Sequence, residues 1–98
     1  ERNALYKIGF DGTIQDLRHW CVIGGSHDNL AGHLQANFQE DLPLGGALRL
    51  GREALTRAEN GTPDLPAESL EVCLLDRTWP HRKFRRLDHA AIREHLGA

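Results

Sequence analysis

The segment LEVCLLD, at residues 70–76, is the feature that most constrains how this chain of 98 residues can fold. Its composition predicts a β-strand, and a strand with one solvent-facing side should alternate apolar and polar residues. Apolar side chains instead fall on both sides of it: Leu70, Val72 and Leu74 on one, Cys73 and Leu75 on the other. Both faces of this strand therefore need a cover.

The rest of the sequence predicts further strands and three helices. The first strand, Ala4–Phe10, places Tyr6, Ile8 and Phe10 on one face, and Asp11–Gly12 is a strong hairpin signal before a return that begins at Thr13 and Ile14. The later predicted elements, in order, are a strand over Arg18–Ile23, helices over Asp28–Gln39 and Leu44–Ala58, a polar loop over Glu59–Glu68, a strand over Arg82–Leu87, and a helix that Asp88 caps and Gly97 ends.

Helix starts and glycines add detail to this order. Ser26 or Asp28 is expected to cap the first helix, and Asp41 the second. Glycines at 45, 46 and 51 lower the intrinsic helicity of the second helix by up to about 1 kcal/mol each. That helix therefore depends on tertiary packing, and its glycines would permit the close approach of a neighbouring element.

The predicted elements are too few to cover every apolar surface. Three helices can shield one face of the strands, but the chain lacks the strands for a second sheet on the other face. The sequence also opens on Glu1 and moves almost at once into a strand. We expect the missing cover to be either more of the same polypeptide or a partner.

Composition excludes several classes of protein. The formal net charge is −2, so the chain is not a general polycation for nucleic acid. Two cysteines do not make a disulfide scaffold, and Cys21 and Cys73, both inside apolar runs, are expected to be buried thiols in a reducing cytoplasm. The sequence shows no signal peptide and no apolar run of the roughly 20 residues needed to span a membrane. The expected location is cytoplasmic.

Four segments, in their order along the chain, resemble a known family. These are LYKIGFDGTI, HWCVIGG, ALRLGREAL and LEVCLLDRTWPHRKFRRL, followed by a short closing helix. Together they resemble the C-terminal half of a proteasome α-type subunit, with the actinobacterial type as the nearest match. The resemblance covers nearly the whole chain, from Leu5 to Leu96.

The resemblance implies a fold and a domain organisation. The fold class is α+β: residues 1–98 form a partial domain, the C-terminal half of an αββα four-layer sandwich of the N-terminal-nucleophile-hydrolase superfamily, in the order β-β-α-α-β-β-α. The N-terminal half is absent from this sequence. In the family that half carries the gating tail, the first helix of the ring interface and the lysine pocket for an activating ATPase, so none of these maps onto a residue here.

The resemblance also implies a structural role without catalysis. Family β subunits use an amino-terminal threonine as nucleophile, whereas this sequence begins with Glu1 and its threonines, at 13, 56, 62 and 78, are internal. We therefore predict no catalytic residue and no cofactor. The expected partners are other α subunits in a homo-oligomeric ring, expected to be heptameric, then proteasome β subunits, and a ring-shaped ATPase activator. The expected role is in an outer ring that supports gated substrate admission for protein degradation.

One basic cluster remains as a candidate contact site. Its members are Arg82, Lys83, Arg85 and Arg86, with His81 beside them. Three explanations of the cluster stay open. It is a solvated edge strand protected by its charges, a subunit interface that pairs these charges with acids, or a polyanion-binding site. Two other functions stay open: a stand-alone α+β module that binds a polyanion or nucleic acid through this strand, and a β-type threonine protease subunit.

The other reactive residue types favour structural roles. Ser26, His27 and Asp28 are adjacent at a predicted helix start, where capping is expected rather than a catalytic triad, because triads are usually built from distant segments. The six histidines show no i, i+4 pair and no Cys-x-x-Cys partner, so no metal site is expected.

Overall fold

The computed structural model describes residues 4–58 and 65–97. The chain is α+β, and the predicted order β-β-α-α-β-β-α is confirmed. Its elements are β1 (Leu5–Ile8), β2 (Ile14–Leu17), α1 (His27–Asn37), α2 (Leu44–Ala58), a short 3-10 helix (Ala67–Ser69), β3 (Val72–Leu75), β4 (Phe84–Leu87) and α3 (His89–Leu96). The predicted polar loop lies outside the described residues over 59–64.

The first hairpin forms around the predicted Asp-Gly turn. β1 and β2 pair antiparallel, with Leu5 opposite Leu17 and Ile8 opposite Ile14. The turn closes through Gly9, whose amide donates to the Thr13 carbonyl at 2.8 Å, and Gly12 takes the positive φ of 86° that favours glycine. The strand ends at Ile8 rather than Phe10 because the turn begins at Gly9.

The predicted strand over Arg18–Ile23 is wrong for this structure. β2 ends at Leu17, the chain bends at Arg18–His19, and residues 20–23 belong to no strand. A strand needs a neighbour whose backbone groups complete its hydrogen bonds. Here the Val22 carbonyl accepts instead from the side-chain nitrogen of Lys7, at 2.9 Å.

Helices α1 and α2 pack together over a small core. Val22, Leu30 and Ala54 are its buried members, with Trp20 and Leu34 packed against them. The predicted side-chain caps of these helices are wrong. Ser26 precedes α1 in a left-handed conformation and makes no side-chain capping bond, and Asp41, with a φ of 60°, lies three residues before α2 begins.

A second core lies between β3, β4 and α3. Its buried residues are Ala67, Leu70, Leu87, Ile92 and Leu96, and Leu48 of α2 packs against them. α3 has both predicted ends: Asp88 accepts a hydrogen bond from the Ala91 amide at 2.8 Å, and Gly97 closes the helix at a φ of 76°. Ile92 is completely buried.

Glycine permits the close approach of α2 and α3. A Cβ atom on Gly45 would lie 2.8 Å from the carbonyl oxygen of His95, closer than packed atoms come. The predicted role of helix-face glycines is confirmed at this position. At Gly51 such a Cβ would meet no atom of another described element within 4 Å, so this glycine is not needed for a close approach there.

Candidate interface: two open hairpin faces and a basic strand

The first hairpin exposes one apolar face. Tyr6 and Ile8 on β1 share this face with Ile14 on β2, and 61–69% of each residue's surface is accessible. Phe10 in the turn is fully exposed. The opposite face holds the partly buried Leu5 and Leu17. The alternation predicted for this strand is therefore present, and the face that carries Tyr6 and Ile8 has no cover.

The second hairpin shows the same arrangement. Cys73, Leu75, Phe84 and Arg86 form its exposed face, while Val72, Leu74 and Leu87 pack toward the core. Leu75 is 80% exposed and lies opposite Phe84, which is 47% exposed. The strand that is apolar on both sides is thus covered by α3 and the 3-10 helix on one side and by nothing described on the other. We call these two exposed surfaces the open faces.

The open faces are unusual for a soluble domain. Single exposed apolar residues are normal, but several neighbouring ones on one strand pair mark a binding surface. Each described sheet has only two strands, so its edges also carry unpaired backbone groups. A two-stranded sheet is marginal in water without further packing.

A shallow apolar cavity is a further exposed apolar surface of the chain. It has a volume of about 310 Å³ and lies between residues 21–23, α1 and α2. Ile23, at 76% exposed, and Leu55, at 42%, stand at its rim. The expectation of buried thiols is wrong here, because Cys21 lines this cavity, Cys73 lies on an open face, and both are exposed. Each thiol lies where the apolar surface itself lacks cover.

The basic strand is largely engaged within its own hairpin. Arg85 lies opposite Leu74, and one guanidinium nitrogen is 3.4 Å from a carboxylate oxygen of Asp76. The same guanidinium lies over the Trp79 ring, 4.8 Å from its centroid. The Thr78 hydroxyl donates to Asp76 at 2.6 Å, and hydrogen bonding from Thr78 lowers the pKa of that carboxyl below its ordinary value of 3.8, with Arg85 lowering it further.

The other three basic residues differ in their contacts. The Lys83 ammonium donates to the carbonyls of Arg77 and Trp79, and Arg86 pairs with Glu71 at 3.0 Å. Arg82 is exposed and makes no ion pair or hydrogen bond with the described residues. Among the residues that the structure describes, Arg82 is thus the one member of the cluster without a polar partner. Sequence reasoning missed this internal network, although the Asp-x-Thr spacing at 76–78 is a known turn signal.

The adjacent Ser26, His27 and Asp28 do not build a triad. His27 and Asp28 make a 3.4 Å contact, and both are exposed. In residues 4–58 and 65–97, no three His, Cys, Asp or Glu residues group as they would around a metal ion. The same residues contain no helix with the length and apolarity required to cross a bilayer.

The fold and the open faces define a class of protein: an α+β unit that is one part of a larger structure. Comparison with curated proteins identifies relatives of this chain. The chain is 39% identical over 89 residues to the proteasome subunit alpha of Streptomyces coelicolor and 43% identical over 101 residues to that of Gordonia bronchialis. The same subunit of Frankia alni is 39% identical over 100 residues.

These matches cover 89–96% of this chain but only 35–42% of each relative. No family model matches the chain. The chain belongs to the proteasome α-subunit family, and it corresponds to the C-terminal part of such a subunit. The resemblance stated from the sequence is thereby confirmed, and the relatives' greater length agrees with an uncovered surface.

Proposed function

We propose that this chain is a non-catalytic structural part of an α-type subunit in the outer ring of the proteasome core particle, working in the cytoplasm. Its family supports this role, because the relatives are α subunits. The single observation that carries the proposal is the pair of open faces, which a stand-alone domain would have to hide. The rest of an α-type subunit covers them, and the completed subunit joins its ring.

The finer parts of the proposal concern partners. The ring is built from identical α subunits, is heptameric, stacks on proteasome β subunits, and supports gated substrate admission and ATPase docking. In the family, the gating tail and the ATPase-binding pocket belong to the N-terminal half. These 98 residues would therefore act by holding that half in place, through the apolar contacts of the open faces.

A chimeric subunit tests the proposal. The region of the Streptomyces coelicolor α subunit that matches this chain is replaced by the 98 residues, and the chimera is expressed with the β subunits of that organism. Native mass spectrometry should find a particle with the α and β content of the unmodified complex. A chimera that remains a folded monomer while the unmodified subunit assembles would contradict the proposal.

Two variants of the chimera test the observation that carries it. Leu75→Asp places a charge on an open face and should abolish the assembled particle, because burying an unpaired carboxylate costs several kcal/mol. Gln35→Glu adds the same charge at an exposed position of α1, away from the two hairpins, and should assemble normally. Equal assembly of both variants would contradict a covered open face.

Polyanion binding is the weaker alternative. It would use Arg82, Lys83, Arg85 and Arg86, and three of these are occupied by contacts within the hairpin. No observation of the structure favours it over the ring role. It would show itself as nucleic-acid binding that weakens steeply as salt rises.

A further inference from the structure

Residues 76–83, which we call the β3–β4 turn, take a fixed shape although none of them is a described member of either core. The Asp76 amide donates to the Lys83 carbonyl at 2.7 Å and closes the turn at its base. The Trp79 amide donates to the Asp76 carbonyl at 3.2 Å, and the Thr78 amide donates to the Asp76 carboxylate at 3.0 Å. The Lys83 ammonium donates to two further carbonyls of the turn. The turn is therefore preformed, because its own polar contacts set its shape.

The side chains that this turn presents to solvent are those of a protein contact. His81 and Arg82 are exposed, and 40% of the Trp79 surface is accessible. The Arg85 guanidinium lies over the Trp79 ring and holds it in place, 4.8 Å from the ring centroid. Tryptophan and arginine are among the residue types that most often dominate the energetics of protein–protein contacts. A surface that already has its bound shape loses little conformational entropy on association.

Charge is distributed unevenly between this region and the rest of the chain. Residues 76–86 hold five of the 12 Lys and Arg residues but only one of the 14 Asp and Glu residues. Elsewhere in the chain acids outnumber bases by 13 to 7. The single acid of the region, Asp76, already contacts Thr78 and Arg85. A partner that suits this surface presents free carboxylates, and a second copy of the same chain has carboxylates in excess.

The number of available cations favours a protein carboxylate over a nucleic acid. Among the described residues, Arg82 is the one member of the basic cluster without a polar partner. Nucleic-acid binding draws its affinity from many phosphate contacts at once. One guanidinium supplies too few of these, whereas a single arginine forms a strong bidentate pair with one carboxylate.

We propose that the β3–β4 turn is a contact surface between neighbouring α-type subunits, in which Arg82 pairs with a carboxylate of the adjacent copy and Trp79 packs against that copy. The inference rests on the proposed function and deepens it, because it names a surface through which identical subunits meet. In a closed ring each contact joins two different surfaces, one from each copy. A basic turn on one copy and an acidic surface on the next satisfy this requirement all the way round the ring.

A charge reversal in the chimeric subunit tests the contact. Arg82→Glu sets one carboxylate against another and should raise the subunit concentration needed for half-maximal assembly by about tenfold or more. Arg57→Glu makes the same change of charge at an exposed position of α2 and should leave that concentration within about twofold. Native mass spectrometry over a dilution series measures both values. Unchanged assembly of Arg82→Glu, or an equal effect of the two variants, overturns the inference.

A zero-length cross-link identifies the partner without weakening the contact. Arg82→Lys keeps the positive charge and supplies an amine that a water-soluble carbodiimide joins to a carboxylate in direct contact. In particles assembled from mixed isotope-labelled and unlabelled chimeras, mass spectrometry should find position 82 joined to an Asp or Glu of an α subunit of the other isotopic form. The unsubstituted chimera should lack this product. Cross-links to a β subunit alone, or none to a second α copy, overturn the inference.

The outcomes separate this inference from the proposed function. A chimera that assembles equally well with and without Arg82→Glu leaves the ring role standing and overturns the contact alone. A chimera that fails to assemble even without the substitution overturns both. An assembled particle that binds a single-stranded oligonucleotide, and loses this binding in Arg82→Glu, would show that the turn faces solvent in the ring and would overturn the contact.

Discussion

Leu75 lies directly opposite Phe84 across the β3–β4 ladder, and both side chains face away from the core. Leu75 is 80% exposed and Phe84 47% exposed, so their pairing across the strands leaves much of their apolar surface open. Cross-strand pairs of this kind contribute roughly 0.2–1 kcal/mol, far less than full burial of two large apolar side chains. The pair is therefore more important for association than for the stability of the isolated chain.

Replacing both residues with threonine separates these two contributions. Leu75→Thr with Phe84→Thr replaces both side chains with a β-branched residue that suits a strand, so the free energy of unfolding of the 98-residue chain should fall by about 1 kcal/mol or less. Urea denaturation measures this change. A loss of several kcal/mol would mean that the pair belongs to the core of the isolated chain.

Gly45 and Gly51 form a matched pair of substitutions in α2. Alanine has the higher helix propensity, by about 1 kcal/mol, so Gly51→Ala should stabilise the chain by up to that amount. Gly45→Ala should destabilise it, because the new methyl group would meet the His95 carbonyl at 2.8 Å and push α3 away. Thermal unfolding of the two variants should give shifts of opposite sign, and equal stabilisation would contradict the close approach.

Ile92 is the fully buried side chain at the centre of the second core. Ile92→Ala should cost about 2–5 kcal/mol, through lost burial and the cavity left behind. Because small domains have only about 5–15 kcal/mol of stability in total, this loss would be a large fraction of the free energy of unfolding. Circular dichroism with urea measures the loss. Ala90→Ser, at an exposed position of the same helix, should have little effect.

Asp76 makes the turn after β3 sensitive to acid. Its pKa is lowered by hydrogen bonds from Thr78, so the carboxylate form is favoured in the folded chain. The unfolded chain then binds more protons between the two pKa values, and stability rises with pH in that window. This contribution is complete above the ordinary value of 3.8 and is lost as pH falls through the lowered pKa of the folded chain.

A carboxyl titration followed by NMR checks this prediction. The Asp76 resonance should titrate below its ordinary range, and Thr78→Val, which removes the hydroxyl donor and keeps the amide, should move the midpoint upward. A midpoint at the ordinary value in the unmodified chain would contradict the Thr78 contacts.

Local signals in the sequence predicted most of the elements. The Asp11–Gly12 turn, the spacing of α2 and the ends of α3 at Asp88 and Gly97 are each encoded within a few residues. The segment after Leu17 could not be predicted in the same way, because a strand exists only when a neighbour pairs with it. The apolar alternation that includes Cys21 and Ile23 indicates a preference for strand structure. The strand forms only where a neighbouring strand pairs with it.

The candidate interface was also predictable from the sequence only in part. The unbalanced apolar pattern of LEVCLLD predicted a surface in need of cover, and Leu75 and Phe84 bear this out. The basic strand was harder, because a run of charges does not reveal its partners. Arg85 contacts Asp76 and Trp79 through the fold of one turn, which depends on side-chain geometry rather than on composition.

Helix α2 contributes Ala54 to one core and Leu48 to the other. The helix therefore joins the two cores through two different parts of its surface. A movement of α2 in one core would therefore change its packing in the other. Polypeptide that packs into the cavity beside Ala54 would therefore contact the same helix against which α3 packs.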